Sequence, residues 1–511
     1  MDFALSPGRH VWRRHAVDEV GLLIDAEDYY RAFYRAALTA QRRLLISGWQ
    51  FDSDVALLRG REAEQAPAPV ELLKFLNHLC ETRPALEIRL LAWDFHMVFA
   101  IEREWMQKLV FHWTTHERLK FKFDDSHVDG GSHHQKFVVV DDQVSFLGGL
   151  DLCDHRWDDN HHANKNPLRV SRGSPHKPFH DIQVYMRGRE VTASLSELFY
   201  DRWHKAGGDA LPEPTPVEAG EASEVQGLIA LPSAEVTLSR TDPNGSPGGP
   251  SPCSEIRDLY TDALQAARQL VYIETQYFSG HAVVDALERR LHASAQPPLE
   301  IVLIINMKAE TLMEQAAVGL AQAGQLDRLR KLAQNTGHHL GIYYTLPACA
   351  PGESPEQATY IHSKLMIVDD VLLTVGSANL TNRSLAADTE LNCNLLAETS
   401  AAPLGQAIQQ LRGHLLGEHT GGPDILVSQG LVAHLDNLAT RAANGEADVP
   451  CRLRLHPSPT SEEQTALTLI DPQALPFDPD DKDLLEEQRS IFRDGFGDAI
   501  RRLIGMEPDR G

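Results

Sequence analysis

One short pattern is written twice in this chain. Residues 132–142 read SHHQKFVVVDD and residues 360–370 read YIHSKLMIVDD. The internal spacing is the same in both: His134, Lys136, Asp141 and His362, Lys364, Asp369. The flanks repeat as well, in the same order. RRLLISGWQF (42–51) is matched by RQLVYIETQYF (268–278), LEIRLLAWD (86–94) by LEIVLIINM (299–307), and ERLKFKF (117–123) by HHLGIYY (338–344). Each copy closes on a second strand and a glycine turn, QVSFLGGLD (143–151) and DVLLTVGSAN (371–379). Such a duplication predicts two homologous halves, which also suits a chain of 511 residues.

Short Val/Ile/Leu runs such as FVVV and LMIV read as buried strands. EDYYRAFYRAALTAQRR (27–43) and EIRDLYTDALQAARQ (255–269) read as helices. The alternation predicts an α/β fold of two α/β/α sandwich halves with largely buried sheets. Composition places the boundaries. The first half covers 1–210. A linker and loop follow over 211–254, from the Pro/Glu/Ala-rich LPEPTPVEAGEASEV and the loose SRTDPNGSPGGPSPCS. The second half covers 255–420, and a C-terminal extension, 421–511, carries an amphipathic helix in RSIFRDGFGDAIRRLIG.

On a strand, residues two apart share a face, so His134 projects with Lys136 and Gln135 points away; His362 and Lys364 do likewise. An imidazole beside an ammonium suits an anion. Lys supplies charge and donors to phosphate oxygens, while neutral His can attack phosphorus or carry protons. Glycine after the second strand permits close backbone approach, and Ser377 and Asn379 offer donors to an oxyanion. NHHANK (160–165) lacks zinc-ligand spacing, because adjacent His side chains diverge. No Walker loop, Gly-x-Ser-x-Gly elbow or His-Glu-x-x-His occurs.

A net charge of −24 opposes nucleic-acid binding and general adhesion to anionic lipid, without bearing on a recessed site. The six cysteines form no Cys-x-x-Cys pair and read as buried thiols of a reducing compartment. The opening MDFALSPGRHVWRRH lacks an apolar signal core, and no apolar run approaches the ~18 residues that span a bilayer. The expectation is a cytoplasmic or peripheral membrane protein, with signal-independent export compatible.

The duplicated His-x-Lys-x4-Asp-x6-Gly-(Gly/Ser) pattern resembles the phospholipase D superfamily over about residues 40 to 415. GGLDLCDHRWDD (148–159), PFHDIQV (178–184, with Phe179 for that branch's Trp), IETQYF (273–278) and GSANLTNRS (376–384) resemble its eukaryotic-type branch. Asp151 in the first copy against Asn379 in the second is an asymmetry typical of that branch. The resemblance implies mixed sheets packed about a pseudo-twofold axis, with both His-Lys pairs facing one phosphodiester. It implies His134 as nucleophile and His362 as acid/base, supported by Glu390 and Asp181 respectively. Spacing alone does not assign those roles. Asp141 and Asp369 would hold neighbouring backbone and side chains in place. Lys136, Lys364 and Asn379 would bind phosphoryl oxygens, with Ser377, Gly149 and Asp151 lining the site. No metal or cofactor is expected, and one chain suffices as a monomer.

The implied activity is hydrolysis of glycerophospholipids at a membrane surface. The products are phosphatidic acid and a head-group alcohol, formed through a phosphohistidine intermediate with transphosphatidylation to other alcohols. Alternatives are a cardiolipin-synthase-like phosphatidyltransferase, a secreted phospholipase toxin and a superfamily nuclease. The first is opposed by the lack of N-terminal membrane helices and by Asp151 and Arg156-Trp157-Asp158; the nuclease is opposed by the charge. A non-catalytic lipid-binding protein is opposed by two intact motifs. Nothing resembles the lipid-binding domains that precede the catalytic part in eukaryotic relatives, so phosphoinositide regulation is not expected. WDFHMVFAIEREWMQKLVFHW (93–113) and the stripe Phe492, Phe496, Ile500, Leu503 beside Arg501 and Arg502 are the candidate bilayer contacts, against ordinary core packing.

Overall fold

The computed structural model describes residues 3–94, 115–128, 131–210, 224–245, 252–293, 295–308, 318–350, 352–446, 451–460 and 478. Seven principal strands recur in each half. The first half has β1 (Glu19–Ile24), β2 (Arg43–Gly48), β3 (Glu87–Trp93), β4 (Leu119–Asp124), β5 (Phe137–Val140), β6 (Val144–Gly148) and β7 (Ile182–Arg187). The second has β8 (Glu235–Asp242), β9 (Leu270–Thr275), β10 (Glu300–Ile305), β11 (His339–Thr345), β12 (Lys364–Val368), β13 (Leu372–Gly376) and β14 (Glu390–Leu396). The spatial orders, 1-7-6-5-2-3-4 and 8-14-13-12-9-10-11, are the same. Strands 2, 3 and 4 run parallel and the remainder pair antiparallel, as do their counterparts, so both sheets are mixed.

The period of two explains the burial on both faces. In β12, Leu365 and Ile367 join a core shared by both halves, while Met366 and Val368 face the outer layer. In β5, Phe137 and Val139 join the shared core and Val138 and Val140 face outward. Helices α1 (Asp25–Thr39) and α2 (Leu72–Thr82) cover the outer face of the first sheet. Helices α4 (Glu255–Ala266), α5 (His281–Leu291) and α6 (Leu320–Thr336) cover that of the second. The apolar faces of α3 (Arg189–Lys205) and α7 (Pro403–Thr420) belong to the shared core.

The boundary expectations need correction. The stretch 211–254 contains β8, which pairs with β14 of the second sheet. Its Thr, Ser and Arg content reads as loop, but the strand is stabilised by polar partners: Asn394 Nδ2 donates to Ser239 Oγ (2.7 Å) and lies near Thr237. Arg13–Ala16, at the start of the first half, adds to the second sheet beside β8. Ile229–Ala230, from the same 211–254 stretch, pairs with β1. The extension supplies α8 (Leu431–Ala443) and Leu453–Leu455, the latter pairing with β11. Nearly all of the 93–113 stretch and the whole 489–505 stretch lie outside the described residues. All six cysteines are free thiols, and only Cys349 is exposed. No described helix is long and apolar enough to cross a membrane.

The two Asp residues that end each motif build tight turns. Val140 accepts from the Gln143 N–H and Val368 from the Val371 N–H, both at 3.0 Å. The central residues Asp141, Asp142, Asp369 and Asp370 have φ of 49°, 54°, 55° and 51°. These are hairpin turns with two left-handed positions, which Asp tolerates better than bulkier residues. The Asp141 carboxylate accepts from the backbone N–H groups of Gln41, Arg42 and Arg43, tying the turn to the start of β2. Asp369 accepts from Arg268, Gln269 and Leu270 at the start of β9.

Candidate active site

Each His-Lys pair sits at the N-terminal end of a motif strand, where the halves meet. The two halves exchange backbone hydrogen bonds there. The His134 N–H donates to the Thr389 carbonyl (3.0 Å) and the Thr389 N–H to Ser132 (2.9 Å). On the other side, the His362 N–H donates to His180 and the Tyr360 N–H to Pro178, both at 2.8 Å. Each motif is therefore zipped to the segment of the opposite half that enters its last strand. That segment brings a carboxylate.

Glu390, at the start of β14, places both oxygens 3.0 Å from His134 Nδ1. Asp181, just before β7, places Oδ2 2.6 Å from His362 Nδ1. Both carboxylates are fully buried, whereas the His134 and His362 side chains keep 16% and 9% exposure. A ring held through Nδ1–H presents Nε2 outward, with its tautomer set by the carboxylate.

Gly149 and Ser377 occupy equivalent places and explain the different carboxylate lengths. A Cβ on Gly149 would lie 2.4 Å from Asp181 Oδ1, so only glycine leaves Asp181 room. Ser377 Oγ donates to Glu390 Oε2 (2.5 Å) and accepts from the Leu391 N–H (3.0 Å). The hydroxyl expected to donate to an oxyanion is thus engaged in holding Glu390. Asp151, expected to line the site, instead accepts from the Trp49 N–H (2.8 Å) and lies 3.5 Å from Lys136 Nζ. Its counterpart Asn379 is buried with Oδ1 lacking a hydrogen-bond partner.

The lysines are not equivalent. Lys136 has the Asp151 carboxylate nearby and donates to the His134 carbonyl. Lys364 donates to Gln276 Oε1 (3.1 Å) and to the His362 carbonyl, both neutral. Burial pushes Lys364 down to about 7, with Lys136 and Arg156 adding repulsion against the pull of Asp181. Burial pushes Asp181 up to about 7 against the opposing charge of Lys364. Burial first, then Lys364, Arg156, Lys136 and His134, hold His362 well below the ordinary imidazole range. That list of charges includes both groups of the first motif, so the two motifs share one electrostatic neighbourhood. Three cations, Lys136, Lys364 and Arg156, thus act on one imidazole, an environment suited to an anion.

Gln135 and Ser363 point to the opposite side, as expected from the alternation. Arg202 Nη1 donates to Gln135 Oε1 at 3.4 Å, and Ser363 Oγ donates to Glu274 Oε2 at 2.7 Å. Arg156 was legible only as part of a motif; its guanidinium stands 5.1 Å over the Phe179 ring, which is tilted against His362 at 5.2 Å. Gln276 lies inside the quoted IETQYF, and its alignment with Trp49 in the repeat is the signal that singles it out. Asp141 and Asp369 stand at the far ends of the motif strands and touch neither ring; they brace the turns.

The comparisons agree with this architecture. A family model described as Phospholipase D matches residues 36–235, and one described as Cardiolipin synthase, PLD-like domain, matches 260–412. Phospholipase D alpha 1 of Brassica oleracea var. capitata is 24% identical over 490 residues, covering 70% of this chain and 59% of that protein. The Arabidopsis thaliana protein of the same name is 25% identical with the same coverage, so the chain spans 59% of the length of these relatives. The crystal structure of phosphatidylserine synthase from Haemophilus influenzae Rd KW20 superposes with a TM-score of 0.51 at 13% identity, over 85% of this chain and 96% of that one, a likeness of fold. With both halves matched and the same fold repeated, the chain belongs to the phospholipase D superfamily.

Proposed function

We propose that this protein is a phospholipase D-like phosphodiesterase that hydrolyses glycerophospholipids to phosphatidic acid and a free head-group alcohol. The observation that carries this reading is reciprocal: His134 Nδ1 on Glu390 and His362 Nδ1 on Asp181, each carboxylate supplied by the opposite half. Two imidazoles oriented in this way beside two buried lysines fit two successive in-line displacements.

In the first step, Nε2 of His134 attacks phosphorus and the bond to the head-group oxygen breaks. His362, protonated at Nε2, gives its proton to the leaving alkoxide. In the second, His362 takes a proton from water, the hydroxide attacks phosphorus, and the P–N bond breaks to release phosphatidic acid and neutral His134. The assignment of His134 as nucleophile follows the family resemblance. Lys136, Lys364 and the Nδ2–H of Asn379 would donate to the non-bridging oxygens. The negative diester between the lysines would raise the proton affinity of His362, which the empty site depresses. An alcohol replacing water gives transphosphatidylation. The match of the second half to a cardiolipin-synthase-type domain favours keeping such transfer as the second reading. The enzyme would act as a peripheral protein on a lipid surface, one chain carrying the whole site.

The test is product analysis on mixed phospholipid vesicles with added ethanol, for wild type, His134→Ala and His362→Ala. Phosphatidic acid together with phosphatidylethanol, both lost in each variant, is the expected result. Turnover of oligonucleotides but of no lipid would overturn the substrate class while leaving the fold untouched.

A further inference from the structure

The displacement described above puts the two ends of the reacting diester beside different histidines. In-line attack by His134 sends the leaving head group to the far side of phosphorus, where His362 protonates it. The surroundings of His362 are therefore those of the head group, and they differ from the surroundings of His134. Two residues before the supporting carboxylates stand Phe179 and Asp388, and two before the histidines stand Tyr360 and Ser132. Beside His134 this pair is polar, with Ser132 Oγ donating to Asp388 Oδ1 (2.9 Å). Beside His362 it is a pair of rings with centres 5.6 Å apart.

An open aromatic face is the ordinary receptor for a quaternary ammonium. Here both rings are already covered. Phe179 packs against the His362 ring at 5.2 Å and carries the Arg156 guanidinium 5.1 Å over its centre. Tyr360 is stacked on His362 at 6.3 Å and carries Lys177 Nζ 3.7 Å over its centre. Gln276 Nε2 donates to the Tyr360 hydroxyl (2.9 Å) and fixes that ring. Phe179 and Tyr360 are 1% and 5% exposed, whereas Arg156 and Lys177 are half-buried. A head group beside His362 thus meets the two cations and not the ring faces beneath them.

We propose that this side of the site selects a polyhydroxyl head group such as glycerol and rejects a quaternary ammonium such as choline, with Lys177 as a specificity-determining residue. The inference rests on the hydrolytic reading above and names its substrate class. Guanidinium and ammonium groups donate hydrogen bonds and accept none. Glycerol offers them two hydroxyl acceptors and brings no charge. The methylated nitrogen of choline offers no acceptor and sets a further positive charge beside two others in a recess where water screens poorly. Arg156 also depresses His362, so its removal would alter the acid as well as the recess. Lys177 is the cleaner probe.

The test is competition within one surface. Mixed micelles holding phosphatidylglycerol and phosphatidylcholine in equal amounts are given to the full chain, and released glycerol and choline are followed as initial rates. Both lipids share each micelle, so surface charge and adsorption are common to them and the ratio reports relative kcat/KM. Glycerol release should exceed choline release by about tenfold or more in the wild type. Lys177→Met keeps the length of the side chain without its charge and should lower that ratio by about fivefold or more, chiefly by raising choline release. Lys177→Arg should keep it. Equal release of the two head groups by the wild type, or a preference for choline, would overturn the selectivity alone and leave the hydrolase reading standing. An unchanged ratio in Lys177→Met would overturn the role of Lys177. Release of neither head group would overturn the selectivity and the hydrolase reading together. The wild-type ratio needs no variant to fold.

Discussion

Asp181 Oδ2 lies 2.6 Å from His362 Nδ1, although 181 residues separate them and they belong to different halves. The contact orients the ring and fixes its tautomer. Asp181→Asn should keep the fold, swap the hydrogen-bond polarity and lower kcat by about 10³–10⁴ with little change in KM. Glu390→Gln should do the same to His134. Steady-state kinetics on a short-chain phospholipid check this. Wild-type kcat in Asp181→Asn would sink the proposed role of His362.

Gly149 is bare because Asp181 is there. Gly149→Ala puts a methyl group 2.4 Å from Asp181 Oδ1 and must displace it. Ser377→Ala only removes one hydrogen bond from Glu390. The glycine variant should therefore lose activity by about 10²-fold or more, and the serine variant by about tenfold. Equal losses in kcat would argue against this account.

The Asp369 carboxylate serves the turn. Asp369→Ala strands three backbone N–H groups at the start of β9 and removes the polar group that favours φ of 55°. A cost of about 2–4 kcal/mol in urea unfolding is expected. Activity per folded molecule should stay near wild type, unlike Lys364→Ala, which should keep stability and lose turnover. Asp141→Ala should behave as Asp369→Ala.

Anion affinity should fall with pH. Below 7, Lys364 is charged and Asp181 neutral; above 7, Lys364 loses its proton and Asp181 becomes anionic. Both changes disfavour an anion, so binding takes up protons. Dimethyl phosphate keeps a constant charge in this range, and its affinity should drop by up to about tenfold per pH unit for each of the two protons, about a hundredfold per unit at most, between 7 and 8.5. Calorimetry in two buffers of different ionisation enthalpy reads the proton directly. A flat profile from 6 to 8.5 would count against the charge assignment.

Stability should fall on acidification for a separate reason. His133 is buried beside Asp124 and Arg202, and burial lowers it to about 4. A folded value below the unfolded one means that its contribution is complete above about 6.5 and is lost as pH falls towards 4. The loss amounts to about 3 kcal/mol at most. Urea midpoints for wild type and His133→Gln should converge on going from pH 7 to pH 4.

The duplication, the buried strands and the placing of His, Lys and Asp on each motif are legible in the chain alone. These follow from local periodicity: a run of alternating faces and an Asp-Asp turn specify themselves within a few residues. Glu390 and Asp181 were identified through the family pattern, not through spacing. What each group is bonded to emerges only from the folded arrangement. Ser377 serves Glu390 instead of facing an anion, Asp151 lies beside Lys136, and polar β8 is a strand because Asn394 is its partner. That Asp25, His162, His180 and Glu418 converge is not legible in the chain, because no shared periodicity links them. Buried polar groups must find partners wherever the fold puts them, and here those partners lie across the junction of two halves.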